Sequence, residues 1–116
     1  MRFVNDQELE ARILNSKGFV LVAFLEMCNI PCKNFRSEYE RMRRTLFLND
    51  AFNPAGGIEI VAIEADENPS EAECLNVMAY PTTLLFQHGE EIGRWEGPYT
   101  CESLAGRISE IIKKRV

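Results

Sequence analysis

The chain has 116 residues, 46% of them hydrophobic and 27% charged, and carries a net charge of −5. This length suits one domain, residues 1–116, with a core large enough to need no disulfide staple. The acidic balance argues against nucleic acid as a main partner, since phosphate binding needs clustered positive charge, and no apolar run approaches membrane-spanning length.

In chain order, Arg2-Phe3-Val4 is a short strand candidate. Asn5 is placed to cap a helix, with Glu8 completing a capping box and Val4 and Leu9 at hydrophobic-staple positions. That helix is expected to run to about Asn15 with Leu9, Ile13 and Leu14 inward, until Ser16-Lys17-Gly18 breaks it. Phe19 to Leu25 reads FVLVAFL, an apolar run that suits a strand buried on both faces. The segment EMCNIPCK follows, then a second helix over about residues 31–48 with Phe35, Tyr39, Met42 and Leu46 on one face. Residues 49–57 form a loop rich in turn residues.

Ile58 to Ala65 is a strand, Asp66-Glu67-Asn68-Pro69 a turn, and a short helix reaches about Leu75. Thr82 to Phe86 and Glu91 to Glu96 pair as a hairpin around His88-Gly89. Thr100 caps a last helix with Leu104, Ile108, Ile111 and Ile112 inward, and Lys113, Lys114 and Arg115 suit the negative end of its dipole. The order β-α-β-α-β-α-β-β-α predicts an α/β sandwich around a mixed sheet.

The four cysteines do not make a disulfide scaffold. In a reducing compartment a close pair points to redox or metal chemistry, and single cysteines to small core residues. Cys74 and Cys101 are read as such core residues. No second pair at ligand spacing accompanies Cys28 and Cys32, so no metal is expected. The opening residues MRFVND lack the apolar run of a signal peptide, so a cytoplasmic location is expected; a mature domain with its leader trimmed would look the same.

FVLVAFLEMCNIPCK resembles the strand of the thioredoxin family followed by its W-C-G-P-C-K motif. IVAIEADENPSEAECLNVMAYPT is similar to that family's third strand, Asp-x-Asn-Pro turn, short helix and Pro-Thr, and PTTLLFQHGEEIGRWEG to its final hairpin. The resemblance implies a thioredoxin fold, with a central mixed β-sheet flanked by helices, and a cis bond before Pro81. Ala79, Tyr80 and Pro81 would then form a substrate-pairing edge beside the loop Asn29-Ile30-Pro31. It further implies protein thiols and disulfides or a partner protein as ligands, a thioredoxin-reductase-like recycler, and no cofactor beyond the chain's own dithiol.

Two departures matter. In gapless register Pro31 and Cys32 fall on the motif's proline and second cysteine, Asn29 on the nucleophilic cysteine and Cys28 on the tryptophan before it. The acid and lysine that the family often buries as a pair are matched by Ala23 and Ala62, which removes the usual proton acceptor for the second thiol. Glu26 is near enough to substitute, although a solvated loop role suits it better.

Two readings of the motif stay open. With three intervening residues, Cys28 and Cys32 can approach within bridging distance if the chain turns at Asn29-Ile30, so Cys28 would attack and Cys32 resolve. Alternatively Asn29 caps the helix where the nucleophile would stand, accepting the Cys32 N–H. The first makes the chain a thiol–disulfide oxidoreductase. The second makes it a redox-inactive interaction module that binds a partner through the groove beside Pro81.

Overall fold

The computed structural model describes residues 1–48 and 57–115, so the connection expected at residues 49–57 lies, apart from Gly57, outside the described residues. Its elements are α1 (Asp6–Asn15), β1 (Phe19–Leu25), α2 (Ile30–Leu48), β2 (Ile58–Glu64), α3 (Pro69–Cys74), β3 (Thr82–Gln87), β4 (Glu90–Glu96) and α4 (Cys101–Arg115). The capping box of α1 is formed: Asn5 Oδ1 accepts the Glu8 N–H at 2.8 Å, and Glu8 Oε1 accepts the Asn5 N–H at 3.1 Å.

The four strands form one sheet in the order β2-β1-β3-β4. β1 runs parallel to β2 and antiparallel to β3, and β3 and β4 make an antiparallel hairpin. All seven residues of β1 are buried, because helices cover both faces of this inner strand. Phe19, Leu21, Ala23 and Leu25 face a cluster with Phe35, Tyr39 and Met42 of α2 and Leu104, Ile108 and Ile112 of α4. Val20, Val22 and Phe24 face the opposite cluster with Leu9 and Ile13 of α1 and Ala72 of α3. Each large apolar side chain buried here contributes about 1.5–3 kcal/mol. Tyr39 also donates its hydroxyl to the Val61 carbonyl at 2.7 Å, tying α2 to the sheet.

Several expectations need correcting. The opening strand is a single parallel bridge, Phe3 to Ala62, since only Val4 N–H and Arg2 C=O reach β2. Leu14 is 65% exposed, because α1 presents to the sheet only the stripe that carries Leu9 and Ile13. Ile111 is half-buried, at the edge of the α4 contact. Cys74, expected in the core, is exposed at the end of α3, whereas Cys101 is buried. Helix α2 starts one residue early, at Ile30. The hairpin gains a residue on each strand because His88 (φ 53°) and Gly89 (φ 79°) make a two-residue turn between Gln87 and Glu90.

At Gly93 a Cβ would stand 2.6 Å from Cη2 of the Trp95 ring, whereas at Gly106 of α4 it would meet nothing within 4 Å. Gly93→Ala is therefore expected to cost about 1–3 kcal/mol through overpacking. Gly106→Ala should be stabilising by up to about 1 kcal/mol through helix propensity. Urea midpoints moving in opposite directions at constant slope would verify both; a neutral Gly93→Ala would mean that the Trp95 ring yields freely.

Candidate functional site

The end of β1, the start of α2 and the segment before β3 converge at one edge of the sheet. Glu26 and Met27 leave β1, Met27 and Cys28 form a turn, and Asn29 precedes the helix. Asn29 occupies the N-cap. Its Oδ1 accepts the Cys32 N–H at 3.0 Å and its carbonyl accepts the Lys33 N–H at 3.1 Å. Its side-chain amide donates to Glu26 Oε1 at 3.1 Å, so the loop carboxylate is held by the cap.

The two cysteines differ sharply. Cys28 is exposed and, with Glu26, Asn29 and Asp66, lines a shallow hollow of about 320 Å³. A larger hollow of about 540 Å³ lies away from the thiols, among Glu8, Arg12, Lys17 and Glu59. Cys32 is 0% exposed, and its Sγ accepts the Glu26 N–H at 3.4 Å. Burial pushes the Cys32 thiol up, against the Glu26 N–H, which favours the thiolate; Glu26 and Glu64 raise it further and Arg36 lowers it.

Ile30 (71% exposed) and Pro31 face solvent beside Met27 in sequence. The Tyr80–Pro81 bond is cis, as the resemblance implied. Pro81 is buried and accepts the Gly97 N–H on its carbonyl at 2.8 Å. Ala79 and Tyr80 are half-buried, and the Ala79 carbonyl is already taken by the Thr82 hydroxyl at 2.6 Å. Burial raises the Tyr80 hydroxyl pKa, and Glu26, Asp66 and Cys32 raise it further.

Ala23 and Ala62, which match the family's buried acid and lysine, are direct cross-strand partners, both 0% exposed. Two residue pairs further along the ladder lies a feature missed in sequence. Glu64, opposite Leu25 at the end of β2, is bonded to Arg36 of α2, and the Arg36 guanidinium lies 5.3 Å from the Phe3 ring centroid. Glu64 Oε2 is buried with no hydrogen-bond partner among the described residues. The available signal was strand parity: Glu64 is in phase with the inward-facing Ile60 and Ala62.

The family model for thioredoxin matches residues 1–110. The chain belongs to the thioredoxin family. Thioredoxin of Buchnera aphidicola is 31% identical over 110 residues, covering 94% of each chain. Protein disulfide-isomerase A3 of Gallus gallus is 26% identical over 107 residues, and the chain spans 92% of its own length but only 20% of that relative. The crystal structure of thioredoxin from Trypanosoma brucei brucei superposes with a TM-score of 0.78 at 19% identity, covering 96% of this chain and 89% of that one, which shows the thioredoxin fold. Thioredoxins form a family of thiol–disulfide oxidoreductases that act on protein disulfides. Among the described residues of this thioredoxin-family chain, no helix is long and apolar enough to cross a membrane.

Proposed function

We propose that this chain is a thiol–disulfide oxidoreductase that acts on protein disulfides in the cytoplasm through Cys28 and Cys32. The observation that carries the reading is the asymmetry of the two thiols: one exposed in the turn, the other fully buried one helical turn on. An attacking thiol must reach a substrate sulfur, and a resolving thiol must be kept from competing substrates until the first has reacted. In the cycle, the Cys28 thiolate attacks a substrate disulfide, forming a mixed disulfide and releasing one substrate thiolate. Cys32 then loses its proton, its thiolate attacks Cys28 Sγ, and the second substrate sulfur leaves as a thiolate. The substrate is reduced by two electrons, the protein is oxidised to a Cys28–Cys32 disulfide, and an external dithiol, as in a thioredoxin-reductase-like recycler, restores it. Asn29, Ile30, Pro31, Ala79, Tyr80 and Pro81 would bind the substrate chain across the two cysteines.

A specific observation favours a second reading. Asn29 sits at the N-cap, and its side chain takes the otherwise free first-turn amide of Cys32. A donor spent on Asn29 does not stabilise a thiolate, and such a loop suits a redox-inactive module that binds a partner protein through the groove beside the cis-proline.

Mild oxidation separates the two. Alkylation and mass mapping should find only Cys28–Cys32 linked, with Cys74 and Cys101 labelled as free thiols after denaturation. Two free motif thiols under oxidant would leave the binding module as the function.

A further inference from the structure

Ala23 and Ala62 leave the sheet beneath Cys32 without the acid that would take the proton of a resolving thiol, yet the second step of the proposed cycle must deliver that proton somewhere. Two carboxylates are candidates. Glu26 is half-exposed and its Oε1 already accepts the Asn29 amide. Glu64 differs: its side chain is 15% exposed, one oxygen is bonded to Arg36, and the other is buried without a partner among the described residues. A buried acceptor without a donor carries a desolvation cost of about 1–3 kcal/mol or more for a charged group, so its retention calls for a physical reason.

Placement supplies one. Glu64 is the cross-strand partner of Leu25, and the residue that follows β1, Glu26, donates its N–H to Cys32 Sγ. Glu64 lies on the sheet face that α2 covers, and its partner Arg36 stands four residues, about one turn, from Cys32 on that helix. Arg36 and the Phe3 ring close this corner from the outer side.

We propose that Glu64 is the proton acceptor for the Cys32 thiol, a role that rests on the Cys28/Cys32 cycle above. The Cys32 proton passes to Glu64 Oε2 and from there to solvent, and the thiolate so formed attacks Cys28 Sγ as the substrate thiolate departs. Arg36 holds the other oxygen and fixes the carboxylate's orientation. The charged groups whose fields reach Cys32 are Glu26 from the loop, Arg36 from α2 and Glu64 from β2, and the Cys32 charge in turn acts on Tyr80.

The sign of the effect separates this role from a purely electrostatic one. The negative charge of Glu64 disfavours the Cys32 thiolate, so removing the charge alone would speed the resolving step. Removing a proton acceptor would slow it. The test uses the full chain in a Cys74→Ala background, reduced and mixed with one equivalent of dithionitrobenzoate, an aromatic disulfide whose thiolate is coloured. Attack by Cys28 releases the first coloured thiolate, and displacement by Cys32 releases the second. Glu64→Gln, which can still accept from Arg36, should leave the first phase unchanged. It should slow the second about tenfold or more between about pH 6 and pH 8, with convergence at alkaline pH where Cys32 is already ionised.

An unchanged or faster second phase overturns the proposal, as does slowing by Glu26→Gln in place of Glu64→Gln. A parent chain that shows a first phase and no second defeats the Cys28/Cys32 cycle itself, and the proposal with it.

Discussion

Cys28→Ala should abolish insulin-disulfide reduction, and adding Asn29→Cys to that variant should restore turnover above the parent level. The attacking thiol would be moved from the turn, where Cys28 is, onto the N-cap, where Asn29 now is. A thiol there meets the first-turn amides of α2 and the positive end of its dipole, including the Cys32 N–H that Asn29 would have released. If its pKa falls from about 8.5 to about 7, the thiolate fraction at pH 7 rises about 16-fold. Lower intrinsic nucleophilicity takes back about fivefold, leaving a net gain of about threefold. Loss of the Asn29 cap should cost about 1 kcal/mol, so a somewhat lower Tm accompanies the gain. Initial rates of insulin precipitation measure the outcome. Activity that survives Cys28→Ala would remove Cys28 from the cycle. A double variant that stays inactive would place the limitation elsewhere, in the missing buried acid and lysine.

Ala23→Asp should be the most destabilising of the substitutions considered, and most of its cost should depend on pH. Residue 23 lies on the inner strand with 0% exposure, so an aspartate there is desolvated and its folded pKa is raised above the unfolded value of about 3.9. Below the unfolded pKa both states hold the proton, and what is felt is overpacking and the burial of a neutral carboxyl, each about 1–3 kcal/mol. As pH rises above that value, the unfolded state ionises first and stability falls. With a folded pKa near or above 7 the added loss at pH 7 is about 4 kcal/mol, a large share of the roughly 5–15 kcal/mol typical of a domain. Adding Ala62→Lys supplies a cross-strand counter-charge at the paired position and should recover part of that loss. Urea unfolding at about pH 4 and pH 7 tests the sign. A loss equal at the two pH values would mean that the carboxyl escapes to water.

The local signals in the chain were sufficient for most of the fold. Asn5 with Glu8, the unbroken FVLVAFL run, the stripe Phe35-Tyr39-Met42-Leu46 and the His88-Gly89 turn each act within a few residues, through caps, periodicity and backbone preference. The gapless register of the motif likewise led to Asn29 as a cap, and the family resemblance to a cis bond before Pro81.

Tertiary structure alone decided what each face met. Leu14 has the composition of a core residue but faces solvent, because α1 touches the sheet along a stripe too narrow to include it. The strand order β2-β1-β3-β4 brings Glu64 beside Leu25, 39 positions apart in sequence, and Arg36 reaches Glu64 across 28 residues. Burial of a carboxylate oxygen, and the absence of a donor for it among the described residues, depend on which helix covers that sheet edge. Sequence periodicity indicates which side of a strand is covered; it carries no record of the side chain that arrives there, because that is set by strand register and helix docking over long separations.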